Sequence, residues 1–248
     1  MTEPWKSDNY FVCPSNYAAE AMAGVQIHKN LEIHDVTLRD GEQQPGVAFT
    51  KDDKIAIATM LAEVGVHRIE AGMPAVSKSD EEAFRQIVKR KIDSKIFAFC
   101  RSLASDIELA ADVGVDGVVI EIPSNDELVE YGFRWPLDRP FKAVCEACRL
   151  AHERGLYVDL FLMDSSRLTV EKFVEKVNAV KNNSWVDSCS IVDTQGTLST
   201  PGARYMVREA VRALDIPVET HFHNDLGLGT ANALAEAEAG AGALHTTI

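Results

Sequence analysis

The chain has 248 residues, 46% hydrophobic and 25% charged, which suits one globular domain the size of an α/β barrel. Its formal charge of −13 argues against nucleic-acid or anionic-membrane partners, which need basic surface, and leaves small molecules or protein. No stretch reaches the roughly 18 apolar residues that span a bilayer, and Met1–Asp8 lacks an apolar signal core, so the chain reads as cytoplasmic.

A polar arm, residues 1 to about 30, comes first, with one short helix expected near Tyr17–Ala23. From there β-rich runs alternate with amphipathic stretches of helical length. The runs are Leu31–Thr37, Val66–Glu70, Lys95–Cys100, Gly117–Ile122, Tyr157–Leu162, Ser188–Val192, Val218–His221 and Ala243–Ile248. Between them the helices are expected at Lys51–Val64, Ser79–Lys89, Ser105–Val113, Pro140–Arg154, Val170–Asn178, Pro201–Leu214 and Thr230–Ala239. Gly65, Gly114 and Gly240 each stand where a helix should stop before a strand. Cys145 and Cys148 form a C-x-x-C inside the fourth helical stretch, with no second pair, and read as buried thiols rather than a zinc or redox site. Five cysteines in a chain this long give no disulfide framework.

Eight strands in strict alternation with helices predict a (β/α)8 TIM barrel over residues 31–248. A doubly wound sheet is the alternative, but no G-x-G-x-x-G follows the first strand. Nothing follows the eighth strand, so the barrel is expected to be truncated there, without its last helix.

Barrel enzymes set their chemistry at the C-terminal ends of the strands. Strand one ends in Arg39, Asp40 and Gln43, strand two in Glu70, strand three in Arg101, and strand five in Asp164 and Arg167. Strand six ends in Asp193 and Thr194, strand seven in His221, His223, Asn224 and Asp225. Residues two apart on a strand face the same way, so His221 and His223 can grip one cation together with a carboxylate such as Asp40. Two histidines and one carboxylate suit Mg²⁺, Mn²⁺, Fe²⁺, Co²⁺ or Zn²⁺. Arginines at the ends of strands one, three and five would make a basic mouth for a small, multiply anionic molecule. Taken singly, Asp193 and Asp225 read as loop residues or helix caps. His34 and His67 read as structural; His245 is open; Glu121 and Asn125 divide evenly between substrate contact and loop role; Cys100 needs no function.

Four segments, Asp35-Val36-Thr37-Leu38-Arg39-Asp40-Gly41-Glu42-Gln43, Ile69-Glu70-Ala71-Gly72-Met73-Pro74, Asp193-Thr194-Gln195-Gly196 and His221-Phe222-His223-Asn224-Asp225-Leu226-Gly227, carry a family resemblance. The chain resembles, over nearly its whole length from Leu31, the metal-dependent barrel enzymes that include 2-isopropylmalate, homocitrate and citramalate synthases and hydroxymethylglutaryl-CoA lyase. The resemblance implies Asp40, His221 and His223 as ligands of a divalent metal (Mg, Mn or Zn). It implies Arg39, Glu70 and Asp164 as the catalytic set, and Arg39, Gln43, Glu70, Arg101, Arg167 and Thr194 as substrate contacts. It also implies acetyl-CoA as cosubstrate, a 2-oxo acid as acceptor and a homodimer.

Gly41-Glu42-Gln43 is similar to the condensing branch, which joins acetyl-CoA to a 2-oxo acid and releases a 2-alkylmalate. Three features depart from that branch. Met163 stands where it carries an acid–base glutamate, Leu103 where homocitrate synthases carry histidine, and the segment that follows strand eight in the family lies beyond Ile248. The alternatives are an aldolase or lyase that cleaves a hydroxy acid or its CoA ester, and a non-catalytic barrel that binds metal and 2-oxo acid.

Overall fold

From Glu32 onward strand and helix alternate without interruption in the computed structural model, which describes residues 3–25 and 27–248. The strands are β1 (Glu32–Asp35), β2 (Arg68–Glu70), β3 (Lys95–Arg101), β4 (Gly117–Pro123), β5 (Tyr157–Met163), β6 (Ser188–Asp193), β7 (Val218–Phe222) and β8 (Ala243–Thr246). The helices between them are α1 (Lys51–Glu63), α2 (Lys78–Arg90), α3 (Ala104–Val113), α4 (Arg139–Glu153), α5 (Val170–Asn183), α6 (Thr200–Ala213) and α7 (Gly229–Ala239). All neighbours pair in parallel, and β8 returns to β1 from Glu32↔Ala243 to Asp35↔Thr246, which closes the barrel.

Local chemistry explains the helix starts. Thr50, Ser77, Thr169 and Ser199 each accept a hydrogen bond from the third residue of the helix they precede, and Thr50 with Asp53 completes a reciprocal capping box. Gly65, Gly114 and Gly240 all adopt positive φ at the helix ends, as their positions suggested. The helices bury their apolar stripes on the outer face of the barrel. Phe84, Ile87, Ile107, Phe173 and Val207 are among the fully covered side chains there, each worth about 2–3 kcal/mol of transfer free energy.

Inside the barrel the packing differs. Phe97, Phe99, Val119, Phe161 and Val192 form a small aromatic-rich cluster. Gly117 makes room for it, since a Cβ there would sit 2.5 Å from the Phe97 ring. The other interior positions are polar: His34, Glu70, Asp159, Ser190, Glu219 and His221 are all buried.

The arm departs from expectation. A 3₁₀ turn at Pro14–Tyr17 stands in place of a helix near Tyr17–Ala23, because Tyr17 and Met22 stay about half exposed and an undocked short helix is marginal in water. β1 stops at Asp35, whose carboxylate accepts from both the N–H and the hydroxyl of Thr37 and bends the chain into the Arg39–Asp40 turn. α5 runs five residues past Asn178 because Val180 keeps its apolar face on the barrel. Cys145 and Cys148 are buried free thiols on α4, as read.

Candidate metal centre

Asp40, at the turn after β1, faces His221 near the end of β7 and His223 just beyond it. The two imidazole Nε2 atoms are 3.3 Å apart, and Asp40 Oδ2 lies 3.7 Å from that of His221 and 3.6 Å from that of His223. One face of a tetrahedron or octahedron built on bonds of about 2.0–2.2 Å has edges of about 3.0–3.5 Å, so the three atoms fit one small divalent cation after sub-ångström movements. Both rings already point Nε2 inward. His223 donates its Nδ1 proton to the Thr194 carbonyl at 2.8 Å, which leaves Nε2 free as a ligand.

The charges around that triangle shift each of its three groups. Burial works against the Asp40 carboxylate, yet His223, His221 and Arg39 outweigh it and hold the carboxyl well below the usual carboxylate range. Pairing with Asp40 raises His223. Burial, then the charges of Arg39 and His245, keep His221 neutral by pushing its pKa far down, and a neutral imidazole is the form that ligates.

Arg39 lies beside the triangle, only 8% exposed. Its Nε donates to Glu70, its Nη1 to Asp40 Oδ1 at 3.1 Å, and its guanidinium stacks 4.1 Å from the centroid of Phe99. Nη2 is buried without a partner, which leaves one fixed donor for an incoming oxygen. Arg39, Gln43, Arg101 and Glu121 line a cleft of about 430 Å³ at the mouth. Burial, opposed by Arg39, raises the Glu121 carboxyl.

The expected ring of three arginines forms only in part: Arg39 and Arg101 line the cleft, and Arg167 does not. Arg101 is half exposed and held by Asp106, with Nε–Oδ2 at 2.8 Å and Nη2–Oδ1 at 3.0 Å. Arg167 binds Asp164 and lines a neighbouring groove with Asn125, Thr169 and Lys172. The basic mouth is thus charge-compensated, because each guanidinium has drawn a carboxylate partner. Asp164, at φ +63°, turns its carboxylate to Asn125 and Arg167, while its N–H donates to Thr194 Oγ1 at 2.9 Å. The structure therefore brings Arg39, Asp40, Gln43, Glu70, Arg101, His221 and His223 to one mouth. Thr194 supports it from behind, and Asp164 and Arg167 stand to the side.

Several contributors escaped the sequence reading. Phe99 and Phe161, which cradle Arg39, look like ordinary core residues in a strand. Glu42 does not enter the metal triangle but pairs with buried Lys54 at 2.6 Å and accepts from Phe49 N–H, pinning the loop after Asp40. Gly196, at φ +57°, has no space for a side chain: a Cβ would stand 2.7 Å from the Asp225 nitrogen and 2.9 Å from the His223 carbonyl. Glu219, and with it His245, which the sequence left open, lies directly behind His221. The two-residue period of β7 carried a signal for Glu219, which must share the inward face of His221 and His223.

The HMGL-like family model matches residues 30–248. Homocitrate synthase AksA of Methanosarcina acetivorans is 39% identical over 219 residues, 88% of this chain and 54% of its own. The (R)-citramalate synthase CimA of Methanocaldococcus jannaschii is 34% identical over 218 residues, 88% of this chain and 44% of its own. The chain spans little more than half the length of the homocitrate synthases it matches. In fold it follows hydroxymethylglutaryl-CoA lyase from Pseudomonas aeruginosa, with a TM-score of 0.79 at 19% identity over 90% of this chain and 77% of that one. Since the matched span takes in every strand of the barrel, the chain belongs to the HMGL-like family.

Proposed function

We propose that this barrel condenses acetyl-CoA with a 2-oxo acid in a metal-dependent acyl transfer, in which the acetyl methyl carbon bonds to the keto carbon and water hydrolyses the thioester, releasing CoA and a 2-alkylmalate-type product. The observation that carries the reading is the Asp40–His221–His223 triangle with the unpartnered Nη2 of Arg39 beside it. Relatives named homocitrate, isopropylmalate and citramalate synthases support it.

Asp40, His221 and His223 would hold a divalent cation, which would supply Lewis acidity toward the acceptor's carbonyl. The residues do the rest. Arg39 stabilises negative charge that grows on the acceptor oxygen, and Glu70 with Phe99 fixes its guanidinium so that no reorganisation is needed. Gln43 and Arg101, at the rim of the cleft, contact the acid's carboxylate. A carboxyl for proton transfer, which Met163 cannot supply, is at hand in Glu121, which lines the cleft and whose carboxyl burial raises.

Free CoA released from acetyl-CoA by the full-length protein with metal, screened against pyruvate, 2-oxoisovalerate and 2-oxoglutarate, tests the reading. Absence of turnover with every 2-oxo acid overturns it. Met163 favours a second reading, in which the chemistry runs toward cleavage of a hydroxy acid or its CoA ester. Formation of acetyl-CoA or pyruvate from such a substrate, without condensation, would select it.

A further inference from the structure

The back of the metal triangle is as ordered as its front. His221 Nδ1 lies 3.2 Å from His245 Nδ1, and His245 Nε2 lies 3.4 Å from Glu219 Oε2. Glu219 is anchored in turn, its Oε1 accepting from Arg68 Nη1 at 2.7 Å. Arg68 also pairs with Glu32 and stacks on Tyr157, 4.7 Å from the ring centroid. Of these groups His245 and Glu219 are both 1% exposed, so water does not substitute for the bond between them.

Proton positions in such a row are not independent. If His221 turns an Nε2 lone pair to a cation, its proton stands on Nδ1 and must be accepted by His245 Nδ1. His245 then carries its own proton on Nε2, which faces the Glu219 carboxylate at 3.4 Å. The alternative tautomer of His221 would place a proton in the metal triangle and set two lone pairs, on His221 and His245, against one another unless His245 reversed as well. Reversal would face the His245 Nε2 lone pair with a carboxylate, which is repulsive. Glu219 thus selects the state of His245, and His245 selects that of His221.

We propose that His245 and Glu219 are positioning residues which act through His221, a relay from Arg68–Glu219 through His245 that fixes His221 in its ligating tautomer. The inference rests on the metal centre proposed above. His34, with Nδ1 3.7 Å from Glu219 Oε2, makes a second possible cluster with Glu219 and His245, but there Arg68 already supplies the positive partner of the carboxylate. The relay therefore requires one cation per chain, at Asp40, His221 and His223.

The experiment titrates Mn²⁺ and Zn²⁺ separately into the metal-stripped full-length protein, wild type and variants, by calorimetry with metal analysis. His245→Leu keeps the volume but removes the acceptor. His245→Gln keeps an acceptor for His221 and a donor for Glu219 on one side chain. His245→Leu should weaken metal binding about 10–100-fold, the range found when the partner of a metal-bound histidine is removed, with His245→Gln staying close to wild type. Glu219→Gln should fall between them. ¹⁵N spectra of histidine-labelled apo wild type should show His221 protonated on Nδ1, a readout that needs no variant to fold.

Equal affinity of His245→Leu and wild type, equal weakening in the leucine and glutamine variants, the opposite His221 tautomer, or two cations per chain would each overturn the relay. Absence of metal binding by the wild type, or binding that Asp40→Ala leaves intact, would instead overturn the metal centre itself.

Discussion

Glu236 on α7 is 1% exposed, and its Oε1 has no hydrogen-bond partner. Burial, reinforced by the nearby charge of Asp193, pushes its carboxyl up from 4.5 to about 7. The folded state therefore holds this proton more tightly than the unfolded chain does. Below about pH 4.5 both states are protonated and Glu236 costs nothing; between 4.5 and 7 only the unfolded chain ionises, so stability falls; above 7 the loss is constant. The gap between the two pKa values is worth about 3 kcal/mol at its full extent. Glu236→Gln keeps the shape and removes the charge. Relative to wild type it should gain about 1 kcal/mol at pH 5.5 and about 3 kcal/mol at pH 8.5. In a domain of this size the larger gain is a rise in Tm of about 6–12 °C. Urea denaturation at the two pH values measures the difference, both lying above the sequence pI of about 5.0. A gain that is the same at both, or a loss at pH 8.5, would refute the assignment of the strain to a buried charge.

Three further outcomes are expected. Asp40→Ala should weaken metal binding by more than about 100-fold, beyond the range for altering a ligand's hydrogen-bond partner, with thermal stability of the apo protein little changed; calorimetry and Tm together check it. Gly196→Ala should destabilise the protein by at least about 1–2 kcal/mol, because a left-handed residue acquires a Cβ that meets the backbone of His223 and Asp225. Urea denaturation that finds it neutral would show that the loop can yield. Glu121→Gln should lower kcat for condensation about 10²–10⁴-fold and leave the metal Kd unchanged; an unaltered kcat would remove Glu121 from proton transfer.

How much of this was legible depends on whether a side chain announces its partner. The strands of a parallel barrel are covered on both faces, so they read as short apolar runs, and glycines at positive φ mark where each helix ends. The limits of β1 were not legible, because the Asp35–Thr37 side-chain bonds that end it look like one more alternation. Asp40, His221 and His223 were legible as types at strand ends, since few other reasons gather two imidazoles and a carboxylate at one barrel mouth. The arginines were legible at their strand ends, but their partners were hidden. Asp106 is concealed in the first turn of α3, Glu70 comes 31 residues after Arg39, and Asp164 looked like a catalytic group of its own. Charge counting at strand ends finds the guanidinium but not the carboxylate that neutralises it.

That neutralisation bears on why the barrel interior is polar at all. Most barrels of this type fill the interior with branched apolar residues. Here Glu32, Arg68 and Glu219 on one side and Glu70, Arg39 and Asp40 on the other each alternate in sign, and His34, whose pKa burial lowers, stands between Glu219 and Glu70, all through contacts of 3.9 Å or less. Buried ion pairs contribute little net stability, because desolvation cancels much of the attraction, and well-packed apolar replacements often do as well or better. Stability therefore does not account for the row. Its geometric effect does: removing an inner charged member leaves its neighbours an uncompensated charge, so these side chains are confined to few rotamers. Arg39 at one end and His221 beside it are the groups whose orientation the proposed chemistry needs most, and they are the ones the row holds from behind.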